Sequence, residues 1–261
     1  MPRFRLTLEY AGTRYSGWQI QQNARTVQGE IHKAVQTVTA RRDFELYGSG
    51  RTDAGVHALG QVAHLDVSTT LPPESLRRRI NDELPADINI LAAAQVPHRF
   101  HARHDAVARR YLYQIATRRT AFAKPYVWWI KEELDLARIR QSATDLVGFH
   151  DFAAFAALDR NQEPGSTRVL LERLDVTVSG ALILIGVEGS HFLWRMVRRL
   201  VGVLAAIGRG ELDPRTAGSL LDAPSDVAAR LTAPASGLFL ERVFYTGEDR
   251  HVPLRPATPV W

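Results

Sequence analysis

The stretch Phe44-Glu45-Leu46-Tyr47-Gly48-Ser49-Gly50-Arg51-Thr52-Asp53-Ala54-Gly55-Val56-His57-Ala58 runs from a short apolar pattern into a glycine-rich turn that holds one guanidinium and one carboxylate. Phe44 to Tyr47 and Val62 to Val67 read as strands on either side of the turn. Asp53 is therefore expected on a surface connection held by a sheet, where functional side chains concentrate. A self-capping turn explains the same glycines and Asp53 without any chemistry. Two other readings fail on the residues. Gly50 and Gly55 are spaced as in a phosphate-binding P-loop, but Val56-His57 stand where Lys and Ser or Thr are required. A dinucleotide fingerprint needs a third glycine where Asp53 stands, and a carboxylate there repels a pyrophosphate.

Upstream of this stretch, Phe4, Leu6, Leu8 and Tyr10 alternate with Arg5, Thr7 and Glu9, the period of a half-buried strand. Val27, Ile31, Ala34, Val35 and Val38 follow at helical spacing, with Thr26 as N-cap. Downstream, Pro72-Pro73 open a second helix to about Glu83, and Ile88 to Val96 read as a strand before Pro97. The first module is expected to span residues 1–104. The second, residues 105–247, is read as a strand Val107 to Thr117, a helix Asp135 to Val147, strands Val169 to Val178 and Ala181 to Val187, a helix Ser190 to Ile207, and a closing strand Leu238 to Tyr245. The shared order predicts an α+β protein of two duplicated modules with antiparallel sheets. Pro253, Pro256 and Pro259 mark residues 248–261 as an extended tail.

With 261 residues and 45% hydrophobic content the chain can bury one large or two small cores. No stretch approaches the roughly 20 apolar residues of a membrane helix. Met1-Pro2-Arg3-Phe4-Arg5 enters a strand pattern rather than a signal sequence, so a cytoplasmic protein is expected. The absence of cysteine removes disulfides, thiolate nucleophiles and Cys-based zinc sites together. The net charge is +5, and the basic residues comprise three lysines against thirty arginines. Arginine binds phosphate as a rigid fork and stacks on bases, which suits RNA, although a GC-rich genome gives the same bias. Clusters at Arg77-Arg78-Arg79, Arg99 with Arg103, Arg109-Arg110, Arg118-Arg119 and Arg195 with Arg198-Arg199 are the places to look.

In Ala108-Arg109-Arg110-Tyr111-Leu112-Tyr113, strand alternation puts both tyrosines on one face, flanked by arginine. A tyrosine there either packs in the core or stacks on a base while its hydroxyl exchanges a proton. On the helix from Ser190, Arg198 flanks the apolar stripe Leu193, Val197, Leu200, Val201, Leu204 and Ile207. Its head is placed to pair with a carboxylate and hold it ionised, while Arg195 and Arg199 turn toward solvent or phosphate. His98, His101 and His104 suggest a metal site only if helical, and Pro97 argues for extended chain in which they alternate faces.

Taken together, these residues resemble the TruA family of tRNA pseudouridine synthases. The resemblance is carried by Gly50 to Ala58, Phe100-His101-Ala102-Arg103, Ala108 to Tyr113, Gly148-Phe149-His150-Asp151-Phe152, Met196-Val197-Arg198 with Val201-Gly202, and Ala233-Pro234 with Gly237-Leu238. Gly17-Trp18-Gln19 and Thr26-Val27-Gln28 extend it toward the N-terminus. Tyr10-Ala11-Gly12 departs from the Tyr-Asp-Gly usual in the family at the end of the first strand. The resemblance implies an active-site cleft between the modules, Asp53 as catalytic residue, Tyr111 beneath the target uracil, and Arg198 paired with Asp53. Arg51 contacts the RNA, and Arg103, Arg109, Arg110 and Arg195 are the further RNA-binding residues expected. The implied reaction isomerises uridine to pseudouridine at positions 38, 39 and 40 of the tRNA anticodon stem-loop, in a homodimer, with no metal or organic cofactor. Two routes are open to a single carboxylate: attack at C1′ as in retaining glycosidases, or removal of a sugar proton to give a glycal.

Two competing readings remain. An RNA-binding protein without catalysis explains the arginines and Tyr111, but not an acid in a basic loop. A metal-dependent nuclease built on Asp53, His57 and His64 lacks a second carboxylate at a helpful spacing.

Overall fold

The computed structural model describes residues 1–157, 165–223 and 225–261. In chain order the strands are β1 (Arg3–Tyr10), β2 (Glu45–Gly48), β3 (His57–Asp66), β4 (Ile88–Val96), β5 (Ala106–Ala116), β6 (Trp128–Trp129), β7 (Gly148–Asp151), β8 (Arg168–Ser179), β9 (Leu182–Gly189) and β10 (Leu238–Tyr245). The helices are α1 (Val27–Thr39), α2 (Pro73–Glu83), α3 (Leu136–Leu146), α4 (Met196–Gly208), α5 (Thr216–Asp222) and α6 (Val227–Arg230). The chain divides into two units, Met1–Val107 with Phe239–Arg250, and Ala108–Leu238 with His251–Trp261.

In the first unit β1 lies antiparallel between β3 and β4, and β2 pairs antiparallel with β3. Phe4, Leu6, Leu8 and Tyr10 are buried on alternate positions of β1, as their period requires. α1 begins where Thr26 accepts a hydrogen bond from the Gly29 N–H at 3.2 Å, and α2 begins with Pro73, whose missing N–H costs nothing in the first turn. α1 buries Val27, Ile31, Ala34 and Val35, and α2 buries Leu76 and Ile80. Each buried Val, Ile or Leu among them contributes about 1.5–3 kcal/mol. At the far end of β1, Arg3 grips Asp66 with Nε and Nη2 at 2.6 and 2.5 Å, and its Nη1 reaches the Phe100 carbonyl oxygen at 2.6 Å.

In the second unit β9 pairs antiparallel with both β5 and β8, β8 pairs antiparallel with β7, and β6 adds parallel to β5. Asp135 caps α3 by accepting from the N–H groups of Ala137 and Arg138 at 2.9 and 3.1 Å. α4 is buried almost all round from Leu200 to Gly208, the pattern of a helix inside a core. Both units are thus α+β, with mostly antiparallel strands and accompanying helices, as the sequence predicts.

Three expectations change. The division falls at Val107/Ala108 rather than after residue 104, and Phe239–Tyr245 belongs with the first unit, where Phe239 and Leu240 register in parallel with His57 and Ala58. This non-local pairing leaves no local mark on the sequence. The tail is also divided: His251–Trp261 joins the second unit, where the Ala181 N–H donates to the Val260 carbonyl at 2.8 Å and the Ala257 N–H to Gln114 Oε1 at 2.8 Å. Finally, α4 starts at Met196 and not Ser190, because Arg195 at its N-cap has φ +61, a left-handed conformation that cannot continue the helical ladder backward.

Candidate active site

The Asp53 loop is seated by bonds from three segments of the first unit. The backbone N–H of Trp18 donates to the Thr52 carbonyl at 3.1 Å, and the Gly55 N–H donates to the Tyr15 carbonyl at 3.3 Å. The Val56 N–H closes the turn on the Asp53 carbonyl at 3.1 Å, and Tyr10 Oη shares a 2.8 Å hydrogen bond with Thr52 Oγ1. Gly17 packs so tightly under the loop that a Cβ there would stand 2.5 Å from the Thr52 oxygen, and its φ of +94 is one that only glycine adopts freely. Gln61, fully buried on β3, holds the preceding arm: its Oε1 accepts from Ser49 Oγ at 2.7 Å and its Nε2 donates to the Gly50 carbonyl at 3.1 Å. The half-buried Asp53 therefore projects from a backbone with little freedom. Exposed Arg51 stands two residues before it, and exposed Arg103 shares a surface depression with Arg51.

His57 and His64 both serve the fold. The His57 ring, 1% exposed, stacks on Phe239 at 4.7 Å, and its Nδ1 accepts the Gly12 N–H at 3.0 Å. His64 Nδ1 accepts the Ala102 N–H at 3.2 Å, and burial pushes its pKa down to about 4, so it is neutral near pH 7. Their placement does not support the nuclease reading. Residues 97–105 form turns rather than extended chain, which brings the rings of His101 and His104 to 4.2 Å of each other.

In the second unit, Tyr111 and Tyr113 share a face of β5 but not an environment. Tyr111 is half-buried, with its ring edge-on to Phe192 at 5.0 Å. Tyr113 is fully buried, donates to the Pro234 carbonyl at 2.8 Å, and has its phenol pKa pushed well up by burial. The nearby positive charge of Arg198 works against that shift, which places Arg198 on the Tyr113 side of the strand. Arg198 is half-buried, and its Nε donates to the Ala233 carbonyl at 2.7 Å.

Among the expected RNA-facing arginines, Arg195 is exposed, its guanidinium 4.9 Å from the Trp194 ring centre, and half-buried Arg109 reaches the Ser190 carbonyl at 3.0 Å. Arg110 is a correction. It is 1% exposed, and its Nη1 donates to the Val252 carbonyl at 2.6 Å, so it fastens the tail and presents nothing to RNA. Its position is one residue out of phase with Arg109 and Tyr111 on a pleated strand. Arg199 likewise turns inward, donating to the Ala156 carbonyl at 2.5 Å. The sequence reading missed Tyr10, Gly17 and Gln61 as the supports of the Asp53 loop. Gly17 carries a signal, a glycine before a buried Trp, but the loop it supports lies 35 residues away.

A family model described as tRNA pseudouridine synthase matches residues 7–105 and 143–246. The chain is 41% identical over 250 residues to tRNA pseudouridine synthase A of Sinorhizobium fredii, covering 94% of this chain and all of that protein. A similar protein from Geotalea uraniireducens, of the same name, is 40% identical over 247 residues with 94% and 100% covered. "tRNA pseudouridine synthase A 2" of Clostridium tetani is 37% identical over 245 residues, with 92% and 98% covered. Both units thus contribute to one recognised enzyme class, the isomerases that convert uridine of tRNA to pseudouridine. The chain belongs to the tRNA pseudouridine synthase family.

Proposed function

We propose that this chain converts uridine to pseudouridine at positions 38, 39 and 40 of the tRNA anticodon stem-loop, with Asp53 as the catalytic carboxylate. The reaction breaks the N1–C1′ bond, turns the freed uracil, joins C5 to C1′ and releases the C5 proton to solvent while N1 takes up a proton. One carboxylate suffices for it, either as nucleophile at C1′ or as base toward the sugar. The observation that supports Asp53 most directly is its seat: three backbone hydrogen bonds, the bond between the Tyr10 and Thr52 hydroxyls and the close approach of Gly17 hold residues 52–56. A preorganised carboxylate lowers the cost of orientation at the reacting carbon.

The other roles follow from chemistry. The guanidinium of Arg198, which can offer a carboxylate a two-pronged fork, is proposed as the ion-pair partner of Asp53. The Tyr111 ring, half-buried beside Phe192, is proposed as the platform for the extruded uracil, with its hydroxyl assisting loss of the C5 proton. Extrusion costs a few kcal/mol, and Arg51, exposed beside Asp53, contributes contact to the opened RNA. The enzyme is proposed to work in the cytoplasm as a homodimer. No helix among the described residues is long and apolar enough to cross a membrane.

The test uses anticodon stem-loops that each carry a single uridine at position 38, 39 or 40, with pseudouridine mapped by carbodiimide modification. Conversion at all three positions is expected. Conversion confined to uridines elsewhere in the tRNA contradicts the assignment.

A further inference from the structure

Beside the Asp53 loop, the first unit has a depression with about 320 Å³ of open space, counting the solvent at its mouth. It is lined by Trp18, Gln19, Tyr47, Arg51 and Arg103, with the backbone of Gly48 and Gly50. It is shallow and open to solvent, so a ligand would lie against its wall rather than inside a closed cavity. The combination is specific in its chemistry: a buried Trp18 ring and an open Tyr47 ring stand with two guanidinium groups and the amide of Gln19.

Tyr47 is 43% exposed, although its ring is firmly held. It pairs across β2 and β3 with His64, whose ring stacks on it at 5.7 Å and 19°. His101 closes on it edge-first at 5.0 Å. A large aromatic side chain kept rigid and still open to solvent loses little entropy when a second ring stacks on it. Among the described residues Arg51 has no ion pair or hydrogen bond, so its fork is available to an anion. Gly50 adds an independent sign. Its φ lies outside the left-handed region, and a Cβ built there meets nothing within 4 Å. No packing or backbone demand within the protein calls for glycine at this position, so the bare wall leaves room for something that is not protein.

We infer that this depression takes a second nucleotide of the tRNA, one flanking the reacting uridine, with its base stacked on Tyr47 and its phosphate held by Arg51 and Arg103. The inference rests on the proposed reaction for its substrate. It adds a subsite distinct from the place of the reacting uracil. A base is preferred to a bare phosphate because phosphate does not explain a rigid, exposed aromatic ring, and stacking accepts any base. The amide of Gln19 at the rim offers both a donor and an acceptor to a base edge.

Equilibrium binding of unmodified tRNA, measured over a range of salt concentrations, tests this with the parent protein, Tyr47→Leu, Tyr47→Phe and Gly50→Leu. Tritium release from C5-labelled tRNA and thermal unfolding are followed on the same preparations. Tyr47→Leu and Gly50→Leu are each expected to weaken binding about tenfold, the scale of one lost base stack. The weakening is expected to be the same factor at every salt concentration, because no phosphate contact is removed. Tyr47→Phe keeps the ring and is expected to bind like the parent. Gly50→Leu fills the depression from its open wall and decides the matter even where Tyr47→Leu impairs folding. Binding by both leucine variants within about twofold of the parent overturns the subsite. The isomerase reading is judged separately. Tritium release by a parent whose binding ignores the depression contradicts the subsite alone, whereas depression-dependent binding without release supports the subsite and contradicts the reaction.

Discussion

Arg198 Nε donates to the Ala233 carbonyl oxygen at 2.7 Å, and the Ala233 N–H returns a 3.0 Å bond to the Arg198 carbonyl. The reciprocal pair fixes one edge of the guanidinium against the segment whose next carbonyl, that of Pro234, receives the Tyr113 hydroxyl. A lysine retains the charge but has neither the Nε donor nor the planar fork. Arg198→Lys is therefore expected to lower kcat for tRNA by at least about tenfold, with tRNA affinity nearly unchanged, as for a lost interaction that acts on the chemical step. A parent-like kcat removes Arg198 from the mechanism.

The two tyrosines of β5 are expected to separate stability from catalysis. Tyr113→Phe removes a buried hydrogen bond and leaves the Pro234 carbonyl without it, at a cost of about 1–2 kcal/mol in unfolding free energy and little in turnover. Tyr111→Leu is expected to abolish most tritium release while shifting the unfolding midpoint little. Equal loss of activity in both variants contradicts the assignment of Tyr111.

Gly17→Ala tests the seat of the Asp53 loop. The new methyl group would lie 2.5 Å from the Thr52 oxygen at a φ of +94, so the loop must move or the backbone must strain. A loss of about 2 kcal/mol in stability is expected, with a fall in kcat larger than the fall in folded protein at the assay temperature. Parent-like turnover shows that Asp53 tolerates displacement.

His64 gives the fold a pH dependence of definite sign. Its folded pKa of about 4 lies below the ordinary histidine value, so between about pH 6.5 and pH 4 the unfolded chain binds a proton that the folded chain refuses. Stability is full above that window and falls by a few kcal/mol across it. His101, whose pKa burial also lowers, adds in the same direction. Denaturant unfolding of the parent and His64→Gln at pH 7 and pH 4.5 is expected to show a smaller drop for the variant. An equal drop assigns the acid sensitivity elsewhere.

Much of this architecture was legible because its determinants are local. The alternation of Phe4 to Tyr10, the Thr26 cap and the 88–96 strand each declare themselves within one element. The Asp53 loop stood out because glycine, arginine and aspartate are concentrated in a few residues. What could not be read was non-local or conformational. The return of β10 to β3 is a pairing across most of the chain. The inward turn of Arg110 depends on strand phase and on a tail that packs beside it. The late start of α4 follows from a single left-handed residue, Arg195, of a type that rarely adopts that conformation.

The central claim is that Asp53 carries out the isomerisation. Tritium release from C5-labelled uridine in tRNA, compared between the parent and Asp53→Asn in the presence of a chelator, tests it most directly. Asp53→Asn removes a charge and almost no volume, so tRNA affinity is expected to stay within about threefold while release is abolished. Release by Asp53→Asn at the parent rate contradicts the account.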